Sequence, residues 1–299
     1  MKKATSIIAL LTLITVSAAT PSFAFAQSSG VQKALENAKE TIDNLVSAKD
    51  SKQPDELSLR IQTLKQAIEL SIEEAKDART KLEGLDKDTL SDNEAVWREA
   101  KLKDVESALN YFETQKSDVE DNSKNISTTE AKNIAENFKT WRDENYLPPL
   151  NEVRDYFFVD QQEKTIETAK SRAQKIDEDI KRLERAKVKN IASARKLLKN
   201  ANILIADSDA INGKAHALFF TTFIDIGTST ATSSASADTK KETKLENKTS
   251  GDKDATSTIS GAEPRPKSIR DLVKDSSLKI RDAYKVFIDM SSLVRRLLK

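Results

Sequence analysis

The residue types that carry most enzyme chemistry are scarce in this sequence. The chain has one histidine, His216, and no cysteine. Cys-His pairs and two-histidine metal sites therefore cannot form, and a Ser-His-Asp triad would depend on His216 alone. Apolar residues at helical spacing surround His216, so a place on a helix surface is its simpler interpretation. With six glycines in the chain and no glycine-rich phosphate loop, we expect a protein that is not an enzyme and has no cofactor.

Two acidic stretches resemble calcium-binding loops at first sight. They begin at Asp207 and at Asp86. An EF-hand loop needs an oxygen ligand at its fifth position, glycine at its sixth and glutamate at its twelfth. The residues at these three positions do not fit in either stretch: Ile211, Asn212 and Leu218 in the first, and Leu90, Ser91 and Trp97 in the second. Neither stretch predicts a metal site.

Residues 138–158 are the stretch in which a ligand site is most plausible. They hold six aromatic residues on the two sides of Pro148 and Pro149. One interpretation is packing, in which the prolines stop one helix and start the next and the rings fill the corner between them. The other is a binding groove lined by outward-facing side chains, namely Trp141, Arg142, Tyr146 and Tyr156. Phe138 and Trp141 lie at core positions of a helical stripe, which favours packing.

The last segment of the chain offers a second candidate interaction surface. Residues 263–299 contain ten basic and five acidic residues, with an apolar stripe at helical spacing that includes Phe287. A basic amphipathic helix can lie on an anionic membrane or bind the groove of a partner. Phe287, Arg295 and Arg296 would make those contacts. The alternative is that this helix docks on the rest of the chain as another core helix.

The first residues predict export from the cell. A basic start with Lys2 and Lys3 precedes an apolar run over 7–16, and residues 24–26 form an Ala-Phe-Ala cleavage pattern. We expect residues 1–26 to be a cleaved signal peptide and the protein to be periplasmic, secreted or associated with the cell surface. Without cysteine the chain cannot be a lipoprotein, and no disulfide framework is available.

Apolar residues recur at steps of three and four through residues 27–226, which is typical of helices. Capping boxes at Ser91–Glu94 and Ser127–Glu130 predict helix starts, and Gly84 predicts a helix end. The longest stripe, from Val159 to Leu183, repeats every seven residues, which favours left-handed packing like that of a coiled coil. We therefore predict an all-α fold: an elongated antiparallel helical bundle.

Two connecting segments interrupt the predicted helices. Near Lys187 the apolar register slips by one residue, so either a tight turn or a continuous helix spans residues 186–191. Residues 227–267 are mostly Ser, Thr, Ala and Lys and have no apolar period, which predicts a disordered linker. The predicted organisation is therefore a signal peptide over 1–26, a bundle domain over 27–226, this linker, and a C-terminal amphipathic helix over 268–299.

Several positions around the proline pair also match a known pattern. They are Trp141-Arg142-Asp143, Tyr146, Pro148, Asp155-Tyr156 and Gln161-Gln162-Glu163-Lys164, running on into Ile166 and Ala169. Over residues 125–220 the chain resembles a loose group of uncharacterised, signal-bearing helical proteins from uncultivated small-genome bacteria. The resemblance implies an exported helical domain and no particular activity.

The balance of basic and acidic residues argues against a nucleic-acid partner. The chain has 49 basic and 48 acidic residues whose signs alternate along the helices, so we expect no nucleic-acid binding. The leading hypothesis is an exported structural or protein-interaction module at the bacterial cell envelope, with a protein partner that the sequence does not identify. The alternatives are a periplasmic chaperone-like or membrane-surface binder that uses a tethered C-terminal helix, and a homo-oligomer whose stripes pair between chains.

Overall fold

The computed structural model describes residues 28–50, 56–123, 125–188, 191–224 and 267–297, and this part of the chain is all-α, without a β-strand. The predicted signal peptide and, apart from Lys267, the predicted linker lie outside these ranges. The elements in chain order are α1 (Ser29–Asp50), α2 (Glu56–Glu83), a 3₁₀ turn (Lys87–Thr89), α3 (Asp92–Asn122), α4 (Thr128–Trp141), a π-helical segment (Arg142–Tyr146), α5 (Leu147–Arg185), α6 (Ala192–Phe219), a second π-helical segment (Phe220–Ile224) and α7 (Ile269–Leu297).

Local sequence signals set the starts of α3 and α4. At Ser91 and Ser127 the serine hydroxyl accepts the N–H of the glutamate three residues on, and that glutamate accepts the N–H of the serine. These reciprocal bonds satisfy backbone donors that a helix start leaves unpaired. Both predicted capping boxes are therefore confirmed, and α2 ends at Glu83, immediately before Gly84 as predicted.

The first hydrophobic core lies among α1 to α4 and the start of α5. Neighbouring helices run antiparallel: Thr63 of α2 bonds to Thr41 of α1, and Arg98 at the start of α3 bonds to Leu82 at the end of α2. The largest fully buried side chains of this core are Leu64, Ile68, Leu82, Val105, Phe112, Val119, Phe138, Tyr146, Val153 and Phe219. Burial of these apolar side chains is the main force that holds the helices together.

The second hydrophobic core lies among α5, α6 and α7. It consists of one stripe from each helix: Ile166, Ala169, Ala173 and Ile180 of α5, Ala194, Leu198, Ala201 and Ile205 of α6, and Ile280, Ala283, Phe287 and Met290 of α7. Polar contacts show that α6 is antiparallel to both neighbours, since Arg195 pairs with Glu184 and Lys279 pairs with Asp207. The C-terminal helix therefore packs along the chain as a core helix.

Helix α5 belongs to both cores. Its first turns contribute Leu150, Val153 and Val159 to the first core, and its remainder contributes to the second. The cores also meet at α6 and α7, because Phe219 and Val273 pack in the first core. The elongated bundle predicted from the sequence is thus confirmed, and its two cores are joined by a helix of 39 residues.

A tight turn, and not a continuous helix, follows α5. The N–H of Val188 donates to the carbonyl of Leu183, and the N–H of Lys187 donates to that of Glu184. This pair of bonds is the Schellman arrangement, which closes a helix end through one residue in the left-handed region. Lys187 occupies that position with a φ of 57°. The slip of register seen in the sequence therefore marks a helix end that has lysine where glycine is usual.

The proline pair does not interrupt the helical path. Between α4 and α5 the residues Arg142–Tyr146 form a π-helical segment, and the N–H of Leu147 donates to the carbonyl of Arg142, five residues back. Pro148 and Pro149 lie in the first turn of α5, where a missing N–H is tolerated. The expectation that this step is a helix stop and a helix start is wrong, because the wider turn continues the helix without the two absent donors.

No helix in the described ranges is both long enough and apolar enough to cross a membrane.

Candidate functional site

The π-helical segment places a charged cluster inside the first core. Arg142 projects toward α2, where its Nη2 donates to Glu74 Oε2 at 2.7 Å and its Nε donates to Ser71 Oγ at 3.1 Å. Arg154, near the start of α5, donates to the other carboxylate oxygen of Glu74 at 3.1 Å. We call Ser71, Glu74, Arg142 and Arg154 the buried ion cluster, because Glu74 and Arg142 are only 4% and 2% exposed.

The chemistry of the buried ion cluster is that of a structural ion pair. Both oxygens of Glu74 accept bonds from guanidinium groups, so this carboxylate is held between two cations and faces the protein interior. Charged hydrogen bonds of this kind are stronger than neutral ones and fix the geometry of the partners. The cluster therefore fixes α2 against the π-helical segment and α5.

Tyr146 lies next to the buried ion cluster, and its side chain points into the first core. Its ring is 1% exposed and packs edge-on against Phe112, with centroids 5.0 Å apart, and the guanidinium of Arg142 lies 5.9 Å from the ring centre. The hydroxyl of Tyr146 is buried without a hydrogen-bond partner among the described residues. Burial, followed by the negative charge of Glu74, raises the pKa of Tyr146 well above its usual value, so the phenol stays protonated.

The outward-facing groove, which was the alternative interpretation of residues 138–158, does not form as a set. Arg142 and Tyr146 point into the first core, because the one extra residue per turn of the π-helical segment turns them toward α2 and α3. Trp141 and Tyr156 are half-buried. Trp141 stacks on Tyr111 with ring centroids 3.7 Å apart, and Tyr156 packs against Trp97 with centroids 4.9 Å apart.

Tyr156 also reaches a carboxylate. Its hydroxyl donates to Glu94 Oε1 at 3.4 Å. Burial, with the nearby charge of Glu94, raises the pKa of this phenol. The contact links the start of α3 to α5 beside Phe219 of α6, where the two cores meet.

The candidate residues of the C-terminal helix divide into two groups. Phe287 is 7% exposed and packs in the second core beside Tyr284. Arg295 and Arg296 lie in the last turn of α7 and are exposed. The apolar stripe of α7 is therefore covered by α5 and α6, while its final basic residues remain accessible.

A layer of polar side chains crosses the second core where it meets the first. We call Gln162, Ser208, Ser276 and Ser277 the polar layer. Gln162 Nε2 donates to Ser276 Oγ at 2.9 Å, and the Ser208 and Ser276 hydroxyl oxygens are 2.7 Å apart. Each of these two serines also reaches the carbonyl of the other, at 3.0 and 2.9 Å. Ser277 donates to Gln162 Oε1 at 2.7 Å.

The polar layer and the buried ion cluster were only partly visible in the sequence. Gln162 and Ser276 interrupt apolar stripes at core positions, which is a signal for buried polar contact. Ser208 and Glu74 gave no such signal, because each could equally lie on a solvated face. Among the described residues there is no group of three or more His, Cys, Asp or Glu side chains that could hold a metal ion.

Comparison of the chain with protein-family models, with curated proteins and with solved structures gave no match.

Proposed function

We propose that the protein is an exported helical bundle that acts as a structural or protein-interaction module at the bacterial cell envelope, without catalytic activity. One observation carries the proposal. The polar side chains best suited to chemistry, in the buried ion cluster and in the polar layer, are bonded to each other at helix interfaces. Such groups fix the relative positions of helices, which is what a rigid scaffold requires.

The exposed apolar side chains are the natural places to look for a protein partner. Val96 on α3 and Ile288 on α7 are 65% and 66% exposed. A photo-crosslinking residue at either position, introduced into the chain in its native envelope, should yield a discrete crosslinked partner. The same residue at Asn110, an exposed polar position of α3, serves as the control. Hydrolytic or transfer turnover by the purified chain would contradict the proposal.

Export has a test of its own. Expression with residues 1–26 in place should give a product whose first residue, by mass spectrometry, is Gln27. Retention of an uncleaved chain in the cytosol would contradict this part of the proposal and leave the interaction module to be judged separately.

The alternative function, a chaperone-like or membrane-surface binder that uses a tethered C-terminal helix, requires Phe287 and Met290 to leave the second core. Deletion of residues 266–299 separates the two proposals. A loss of helicity and stability supports the scaffold, whereas an unchanged fold that no longer binds vesicles or a partner supports the tethered helix. A homo-oligomer with stripes paired between chains would show a multiple of the chain mass in light scattering.

A further inference from the structure

Three helix ends bring basic residues together at the far end of the second core. Helix α5 ends at Arg185, α6 begins at Ala192, and α7 ends beside them because it is antiparallel to α6. We call the basic residues of these ends the basic tip: Arg182, Arg185, Lys187, Arg195, Lys196, Lys199, Arg295 and Arg296. Over residues 182–188, 191–199 and 290–296 the single acidic residue is Glu184.

Positive charge is more concentrated in the basic tip than in the chain as a whole. The whole sequence has a formal net charge of +1, whereas the three ranges above carry eight basic side chains against Glu184. Asp177 and Asp179, just outside these ranges, add two carboxylates that contact the tip. Arg195 pairs with Asp177 and Glu184, and Arg182 pairs with Asp179. The other six have no carboxylate within ion-pair distance in the described part of the chain, and all six are exposed.

Helix stability does not account for all of these residues. Basic residues in the last turns of α5 and α7 are favourable, because the C-terminal end of a helix carries partial negative charge. The first turns of α6 present the opposite case. They carry Arg195, Lys196 and Lys199, and the first turn has no acidic residue. Arg195 opposes the macrodipole at this helix start but is balanced by Asp177 and Glu184. Lys196 and Lys199 follow it without a carboxylate partner in the described part of the chain, so they are available to an external anion.

The composition of the tip favours an anionic membrane surface. Its exposed lysine and arginine side chains lie on three adjoining helix ends, together with the half-buried apolar side chains Ile191, Leu293 and Val294. Basic side chains next to a few apolar ones match the headgroup region of an anionic membrane, where each cation near the surface adds to the attraction. We propose that the basic tip binds anionic phospholipid headgroups while α7 stays docked, which would hold the bundle end-on to a membrane.

The test compares two matched variants of the chain from Gln27 onward, since the apolar run of residues 1–26 would itself bind lipid. The tip variant changes Lys187, Lys196, Arg295 and Arg296 to glutamine. The control variant changes four exposed lysines far from the tip to glutamine: Lys33, Lys39, Lys103 and Lys214. Circular dichroism and thermal unfolding establish that both variants are folded. Binding is measured by co-sedimentation with vesicles of phosphatidylcholine and phosphatidylglycerol.

We expect the parent and the control variant to bind these vesicles alike, and the tip variant to partition at least tenfold less. Binding should weaken as salt rises and should be absent on pure phosphatidylcholine. Absence of binding to the mixed vesicles, or equal binding by the tip variant, would overturn the proposal. Binding of a single-stranded oligonucleotide without binding of vesicles would also overturn the proposal, since the tip would then recognise a soluble polyanion and not a lipid surface.

A third variant distinguishes a docked α7 from a released one. The chain has no cysteine, and the hydroxyl oxygens of Ser208 and Ser276 are 2.7 Å apart. Changing both serines to cysteine allows one disulfide between α6 and α7, whose formation is checked by mass spectrometry. The oxidised chain should bind the mixed vesicles as the parent does. Loss of binding on oxidation, with recovery on reduction, would show that α7 must leave the bundle and would overturn the proposal.

Discussion

At the scale of single residues, Arg142 has the largest consequence for stability. It lies in a segment that the sequence made a candidate binding surface, yet its guanidinium is buried and bonded to Glu74 and Ser71. A buried charge is tolerable only while its partners are present, because the desolvation cost remains when a partner is removed. The same logic applies to Glu74, which depends on Arg142 and Arg154 together.

Replacement of Arg142 by methionine should lower the free energy of unfolding by about 3 kcal/mol, because the buried carboxylate of Glu74 would lose the guanidinium that bonds its Oε2. The double variant Glu74→Gln with Arg142→Met should recover part of the loss. Arg79→Met is the control, since its pair with Glu83 is exposed on both sides and should cost about 0.5 kcal/mol or less. Denaturant unfolding gives all three values, and equal losses for Arg142→Met and Arg79→Met would be inconsistent with the buried ion cluster.

Lys187 is the second residue with a defined energetic effect. A lysine in the left-handed region is strained by its Cβ, which costs about 1 kcal/mol relative to glycine. Lys187→Gly should therefore raise the free energy of unfolding by up to about 1 kcal/mol. Glycine at the neighbouring Ala186, which has a negative φ, should not stabilise. Chemical denaturation of both variants would decide, and a destabilised Lys187→Gly would contradict the assigned turn.

At the scale of elements, the polar layer determines how α5, α6 and α7 align. Ser208 and Ser276 approach closely because both are small, and their hydroxyls reach each other's carbonyls. An axial shift of α7 by one turn would replace these contacts with apolar neighbours and leave buried donors unpaired, which costs free energy. A polar layer within an apolar seam therefore favours one register over its neighbours.

Ser276→Leu should lower the free energy of unfolding by about 1–3 kcal/mol, because a larger side chain must displace Ser208 from a fully buried contact. Ser291→Leu on the same helix is the matched control, since Ser291 is exposed and its change should stay within about 0.5 kcal/mol. The comparison is made by thermal unfolding of the two variants. If Ser276→Leu unfolded like the control, α7 would not lie against α6 as described.

Periodicity and capping were enough to predict the elements but not their contacts. The stripes from Val159 to Leu183 and from Ile269 to Met290 are local patterns, so the helices follow from the sequence directly. The helix break predicted at the proline pair was wrong. A π-helical turn can continue the helix although two backbone N–H donors are missing, and no local sequence pattern distinguishes such a turn from a break. The buried ion cluster and the basic tip join residues far apart in the chain, so each depends on a tertiary arrangement that local patterns do not specify.

At the scale of the whole molecule, α5 makes the two cores one cooperative unit. It contributes side chains to both, and α6 and α7 cross the boundary as well. Two cores that share helices cannot lose structure independently without exposing apolar surface of the other. The molecule should therefore unfold as a single body.

The two tryptophans allow a direct test of this cooperativity. Trp97 and Trp141 both lie in the first core, so their fluorescence reports that core alone, while circular dichroism at helical wavelengths reports both. The two signals should give the same midpoint. Deletion of residues 266–299 should lower the fluorescence midpoint by about 5 °C or more, because Ile269 and Val273 pack in the first core. An unchanged fluorescence midpoint would mean that the cores are independent.

The π-helical segment also has a consequence for how this sequence can vary in length. Each residue of an α-helix turns the following residues by about 100° around the axis. A single-residue deletion within Arg142–Tyr146 that restored α-helical spacing would rotate all of α5 relative to α4, and the stripe from Val159 to Ile180 would no longer face α6 and α7. Insertions and deletions at this segment should therefore be far less tolerated than those between the end of α3 at Asn122 and the start of α4 at Thr128.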